Sequence, residues 1–277
     1  MKTIIVPTDF SATAYNAARY ALELAGQIGT TRILLYHAYE LIVPVPDLPT
    51  SIPMVDPKEL KTASVEGLET MKQDLEAYVP AGAILDIRAE NNLLAANIDD
   101  IAMEEMADLI IMGITGGGKI EEILMGSNTI DVVKHTSFPV MIVPGEVTFK
   151  PVKKILFACD FKKVGTSTPI APLKKLLDIF HAELHVLNID RDGKGLGADI
   201  PLESLLLDTL LEGYHPIYHF IDHDSIVEGI MDFADKIEAD LILTIPRKHG
   251  LFEGLFRRSR TAKLAFHTHI PMLAIHE

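Results

Sequence analysis

Three short segments of this chain occur twice, in the same order, and no other feature restricts its fold as strongly. Thr3-Ile4-Ile5-Val6-Pro7-Thr8-Asp9 is matched by Lys154-Ile155-Leu156-Phe157-Ala158-Cys159-Asp160, and phenylalanine follows the aspartate in both copies. Ala107-Asp108-Leu109-Ile110-Ile111-Met112 is echoed by Ala239-Asp240-Leu241-Ile242-Leu243-Thr244. His135-Thr136-Ser137-Phe138-Pro139-Val140-Met141-Ile142 is echoed by His267-Thr268-His269-Ile270-Pro271-Met272-Leu273-Ala274. Chance can supply any one of these matches, but three in one order indicate a duplication. The boundary falls near Gly145–Val152, where Pro144, Gly145 and Pro151 cluster. The domains are therefore read as 1–146 and 151–277.

Within the first copy, strands and helices alternate. A helix over Ser11–Ile28 carries an apolar stripe at Ala14, Ala17, Ala18, Ala21, Ala25 and Ile28, with Ser11 to cap its start and Gly29 to end it. Strands are read at Arg32–Ala38, Ile84–Arg88, Leu109–Met112 and Val140–Val143, and helices at Lys58–Ala77, Leu93–Met106 and from Ser127. The second copy repeats the strands at Lys154–Ala158, Glu183–Asn188, Ile217–Ile221, Leu241–Ile245 and Pro271–Ile275. It is shorter, mainly where the first copy has a proline-rich loop and a long second helix. Strands apolar throughout, separated by amphipathic helices, specify α/β domains with a parallel sheet covered on both faces. Two doubly wound domains in tandem is the expected fold class.

The richest segment for chemistry follows strand four: Gly113-Ile114-Thr115-Gly116-Gly117-Gly118-Lys119, then Gly126-Ser127-Asn128-Thr129 at a helix start. Glycines let backbone N–H groups approach a phosphate chain, and a helix N-terminus adds unpaired donors and a favourable dipole. A P-loop is excluded, because Ile120 stands where its magnesium-binding hydroxyl belongs and the loop follows strand four. The G-x-G-x-x-G and G-x-S-x-G spacings are also missing.

What fits is G-x2-G-x9-G-S, at Gly113, Gly116, Gly126 and Ser127. This resembles the nucleotide-binding signature of the universal stress protein family. The resemblance runs the length of the chain, through the opening Val-Pro-Thr-Asp, the Leu-Tyr-His-Ala of strand two, the Ala-Asp-Leu-Ile-Ile-Met-Gly of strand four and the terminal Pro-Val-Met-Ile-Val. It implies sheet order 3-2-1-4-5, with strands one and four bordering the crevice where α/β ligands bind. It further implies that Pro7, Thr8, Asp9 and Ala38 surround an adenosine. Met112, Gly113, Gly116, Gly126, Ser127, Asn128 and Thr129 would then line the nucleotide and hold its phosphates. The ligand implied is ATP, or AMP or ADP, with Mg²⁺ accompanying the phosphates and no dedicated metal ligands or catalytic residues.

The second copy departs from the signature. Thr244 replaces Gly113, the loop becomes Pro246-Arg247-Lys248-His249-Gly250, and Arg258-Ser259 replaces Gly126-Ser127. Long side chains and a proline fill the phosphate positions, so this copy reads as a degenerate partner. Its Arg247, Lys248, Arg257, Arg258, Arg260 and Lys263 form a basic cluster, open to three readings: a solvated helix start, a contact with Glu104-Glu105 or Glu121-Glu122, or a site for another anion.

Strand five lies at a sheet edge in this order, and Val140–Val143 and Met272–Ile275 carry no charge to protect it. The resemblance implies that such edges pair between two domains, and this chain carries both, so an internal pseudo-dimer is expected with these two strands antiparallel; association of whole chains stays open. His215, His219 and His223 recur every fourth position on a strand and loop, a spacing that gathers no metal ligands there. His135 and His267 suit a helix C-terminus; His267, His269 and His276 together read as a C-terminal domain contact and not as metal ligands, and Cys159 reads as a small buried hydrophobe.

Charge sets limits on partners. The 39 acidic and 25 basic side chains give a net −14, which argues against nucleic acid. The excess is uneven: 9 basic and 21 acidic residues in 1–148, against 16 and 18 in 149–277. One cysteine cannot pair within the chain, and no apolar run reaches the roughly 18 residues of a membrane span. A cytoplasmic protein is expected, regulating by nucleotide-dependent association. Slow ATP hydrolysis or adenylyl transfer, and a ligand-free interaction scaffold, are the other functions open.

Overall fold

The structure is a computed structural model and describes residues 1–40, 56–114, 127–190, 200–246 and 269–276. The first half contains β1 (Thr3–Pro7), α1 (Ala12–Ile28), β2 (Arg32–Tyr39), α2 (Pro57–Leu75), β3 (Ile84–Asn91), α3 (Leu94–Glu104), β4 (Leu109–Ile114), α4 (Ser127–His135) and β5 (Val140–Pro144). The second contains β6 (Lys154–Ala158), α5 (Val164–Ser167), α6 (Ile170–Phe180), β7 (Glu183–Asp190), α7 (Ile200–Leu210), β8 (Ile217–Asp222), α8 (Ile226–Lys236), β9 (Leu241–Thr244) and β10 (Met272–Ala274).

Helix limits follow local chemistry. The Ser11 hydroxyl accepts from the Ala14 N–H to open α1, and Gly29 closes it in the left-handed conformation at φ 69°. Asp56 caps α2 ahead of Pro57 at its first turn. Ser225 and Glu228 open α8 with the spacing of a capping box. In the second half the counterpart of α1 is broken into α5 and α6. Pro169 cannot donate to a helix, and Thr168 before it is extended (φ −105°, ψ 118°).

All ten strands form one sheet in the order β3-β2-β1-β4-β5-β10-β9-β6-β7-β8. Each half runs 3-2-1-4-5, and the halves meet where β5 and β10 pair antiparallel, with Ile142 opposite Met272, Met141 opposite Leu273 and Val140 opposite Ala274. That pairing covers the two apolar edges that the sequence leaves bare. Helices bury both faces: α1, α2 and α6 over one layer of side chains, α3, α4 and α8 over the other. Each layer contains residues of both halves, so the core is continuous across the junction. The connecting segment is pinned as well. Gln27 exchanges two hydrogen bonds with the backbone of Val152 at 2.9 Å, and Tyr20 packs edge-on against Phe149. Lys175 of α6 reaches Asp108 at 2.6 Å, an ion pair between the halves.

Candidate functional site

The ladders locate the crevice. β1 pairs with β2 over five positions, from Thr3 opposite Arg32 to Pro7 opposite Tyr36. β4 pairs with β5 over five, from Ile110 opposite Val140 to Ile114 opposite Pro144. Between β1 and β4, however, only Ile4–Leu109 and Ile5–Ile110 are in register. The two central strands therefore part toward their carboxyl ends, where the connections leave in opposite directions, the switch point at which α/β sheets take ligands.

On the β4 side, Gly113 and Thr129 come together: the Thr129 hydroxyl, buried in the first turn of α4, donates to the Gly113 carbonyl at 3.0 Å. This bond ties the start of α4 to the end of β4. Gly113 has a second duty. A Cβ there would stand 2.5 Å from the Thr13 carbonyl oxygen and 2.8 Å from its carbon, so only glycine admits the first turn of α1 so close to β4. Met112 and Ala38 lie in the same packed layer as Ile130 of α4. Asn128 is exposed at the start of α4. Gly116 and Gly126, the basic cluster 247–263, His267 and Glu121-Glu122 lie outside the described residues.

On the β1 side, Pro7 is buried and Thr8 is engaged inward at every polar atom. Its N–H donates to the Tyr36 carbonyl at 2.8 Å, and its hydroxyl meets the Met71 sulfur at 3.4 Å and accepts from the Phe10 N–H at 3.0 Å. Its carbonyl accepts from His37 Nδ1 at 2.7 Å. Asp9 is exposed, and its carboxylate accepts from the Ser11 N–H at 3.0 Å, which shapes the turn into α1. Phe10 takes φ 63° there, packs against His37 at a 39° tilt with centroids 4.5 Å apart and lies over Gly67 of α2.

The second half repeats this turn. Asp160 accepts from the Lys162 N–H, Cys159 Sγ stands in for the Thr8 hydroxyl toward the Phe161 N–H, and Phe161 sits at φ 49°. Asn188 Nδ2 bonds the Cys159 carbonyl at 2.9 Å as His37 bonds that of Thr8. The repeated Asp-Phe thus has a conformational cause common to both halves, and Cys159 is buried as its position suggests. His37 and Asn188 are the residues that the strand pattern alone did not single out; their shared signal is the spacing of 29 positions from Thr8 and Cys159.

Next to the crevice, Tyr36 is buried, its hydroxyl accepts from Asn92 at 2.7 Å, and burial, opposed by that bond, pushes it up to about 12. Across β2, β3 and α3, Arg32 meets Asp86 and Glu105 at 2.6 Å, while Arg88 meets Glu105 at 2.5 Å, Glu104 at 2.7 Å and Glu90. On β7 and β8 of the second half stands a histidine relay instead. His185 Nε2 bonds Glu183 at 2.6 Å, and its Nδ1 faces His219 Nε2 at 2.9 Å. Among the described residues, no group of three or more His, Cys, Asp or Glu could hold a metal ion. Nor is any described helix long and apolar enough to cross a membrane.

The sequence model of the universal stress protein family matches residues 1–144 and again 151–276. Universal stress protein MJ0531 of Methanocaldococcus jannaschii is 31% identical over 145 residues, 51% of this chain and 81% of the relative. MJ0577 of the same organism is 30% identical over 160 residues, covering 51% and 94%. A universal stress protein from Archaeoglobus fulgidus shares the fold at a TM-score of 0.68 and 21% identity, over 99% of this chain and 98% of its own. With two matches that together span nearly its whole length, the chain belongs to the universal stress protein family, as a tandem of two such domains.

Proposed function

We propose that the first domain, residues 1–146, binds ATP or a related adenine nucleotide, AMP or ADP, and that the second, 151–277, is its degenerate partner. The observation that carries this reading is the parting of β1 and β4 beside a glycine-bearing strand end that is hydrogen-bonded to the first turn of a helix. In this reading Pro7, Asp9, Ala38 and Met112 border the adenosine, while Thr8 shapes its floor by holding the turn from β1 into α1 against β2. Backbone N–H groups at Gly113, Gly116 and Gly126 and the start of α4 at Ser127, Asn128 and Thr129 take the phosphates. Mg²⁺ would arrive with the triphosphate, because its charge needs oxygen ligands that the phosphates themselves supply.

Such a cradle suits an acidic domain. It works through local donors and a helix dipole, so the net −14 of the chain does not oppose it. The role inferred is nucleotide-dependent association in the cytoplasm, with association of whole chains as a further step. Calorimetry with ATP, AMP and GTP on the wild type and on Gly126→Arg, which copies the second domain, tests this. Adenine nucleotide binding lost in the variant supports the cradle, and equal binding by both proteins contradicts it. Multi-turnover hydrolysis abolished by Asp9→Asn would replace the binding role with an enzymatic one.

A further inference from the structure

We propose that His276, carried by the second half, clamps the C-terminal end of α4 through a doubly protonated ring, so that the second half governs the helix whose other end forms the nucleotide cradle. The regulatory part rests on the nucleotide reading above; the clamp itself does not.

His276 follows β10, which the antiparallel pairing with β5 carries against the first half. Its Nε2 lies 2.7 Å from the Val133 carbonyl oxygen and its Nδ1 3.1 Å from that of Phe138. Both partners are carbonyls and can only accept. A neutral imidazole has one N–H and serves one of them; the imidazolium serves both. The Val133 carbonyl needs an outside donor, since the Ser137 N–H that would continue the helix is turned to Asp99 at 3.0 Å. A cation at this position also meets the negative end of the α4 dipole.

The surrounding charges leave that role to His276. On α4, Asp131 and Lys134 face each other at 4.0 Å, and His135 Nδ1 is bonded to the Asp131 carbonyl at 2.8 Å. On α3, Asp99 is occupied with Thr136 and Ser137. On α8, Asp235 pairs with His269 at 3.2 Å. The strands β4, β5 and β10 contain no ionisable side chain.

α4 is only 9 residues long, and both its ends are held. Thr129 fixes its start to β4 within the first half, and His276 fixes its finish from the second. A shift at one end of so short a helix displaces the other, which joins the junction between halves to the phosphate-binding end.

The test uses the full-length chain as wild type, His276→Ala and His276→Gln. ATP affinity is measured by calorimetry between about pH 5 and 8, where histidine changes charge, and amide exchange of α4 is measured without nucleotide. The expected result is ATP affinity at least about 5-fold weaker in His276→Gln at the acid end, the lower range of coupling between sites. At the alkaline end the two proteins converge, since glutamine and neutral histidine each offer one donor group. α4 exchanges faster in both variants at the acid end. A variant-to-wild-type affinity ratio that stays flat across pH overturns the regulatory coupling, and unchanged exchange of α4 overturns the clamp. Absence of ATP binding in the wild type removes the nucleotide reading and the regulation with it, while the exchange data still decide the clamp.

Discussion

Gly113→Ala separates what the glycine does for the fold from what it does for a ligand. The added Cβ would meet the Thr13 carbonyl oxygen at 2.5 Å, where ordinary contact begins near 3.4 Å, so about 0.9 Å must be found by moving backbone. The turn it strikes has little freedom. Ser11 caps it, and Asn16 holds it to the carbonyls of Val147 at 2.8 Å and Pro144 at 3.3 Å. Overpacking of well-filled interiors costs about 1–3 kcal/mol, and a clash of backbone against backbone belongs at the upper end, about 2–3 kcal/mol. At roughly 2–4 °C per kcal/mol for domains of this size, Tm should fall by about 4–12 °C. Urea unfolding followed by circular dichroism, with the slope unchanged, measures the same loss. Gly145→Ala is the control: its nearest neighbours would lie at 3.4–3.6 Å, and its cost should stay within about 0.5 kcal/mol. If Gly113→Ala is as stable as that control, the close approach of α1 to β4 is wrong, and the glycine has to be explained by the ligand alone.

Other perturbations test separate parts of the account. Burial opposes the shift, but the hydrogen bonds from Arg32 and Arg88 hold the Glu105 carboxyl below its usual range. Its contribution is therefore complete above the ordinary carboxylate range and is lost as pH falls through the lowered value. Glu105→Gln should cost about 1–3 kcal/mol near neutrality and flatten the acid limb of stability against pH. Burial first, then His185 and Lys236, keep the His219 ring below the ordinary histidine range. Stability linked to the uncharged His219 ring is present above that range and lost as pH falls through it, so β8 amides should lose protection, relative to their intrinsic exchange rates, on mild acidification in wild type and not in His219→Gln. Leu273→Ala, at a fully buried position opposite Met141, should cost about 2–5 kcal/mol and unfold both halves together in calorimetric scans. Two separate transitions would contradict a core shared across the junction.

Much of the architecture was legible because it depends on local periodicity and on the repeat. The limits of α1 were marked by Ser11 and Gly29, and the β5–β10 pairing followed from two uncharged edges at the same place in each copy together with the family resemblance. The break between α5 and α6 was written in Thr168-Pro169, whose meaning emerges once the second copy is laid on the uninterrupted α1. What stayed hidden was long-range side-chain geometry. The sequence motif reads Gly113 only as a candidate phosphate residue, while its distance to Thr13 makes it a packing residue. Thr129 reads as a free phosphate donor, yet its hydroxyl is bonded to Gly113. His219 is part of a fourfold-spaced histidine run, but its partner is His185, 34 positions away on the neighbouring strand. His276 reaches back 143 positions to Val133, a contact no spacing rule announces.

In the proposed function, one half of a duplicated chain holds a nucleotide and the other does not. Amide exchange read by mass spectrometry, with and without saturating ATP, tests it at both sites in one measurement. The expected result is slowed exchange at the end of β1, at Gly113 and through the first turn of α4, with the matching segments after Cys159 and Thr244 unchanged. Protection around Thr244–Ser259, or an even response in the two halves, would contradict it.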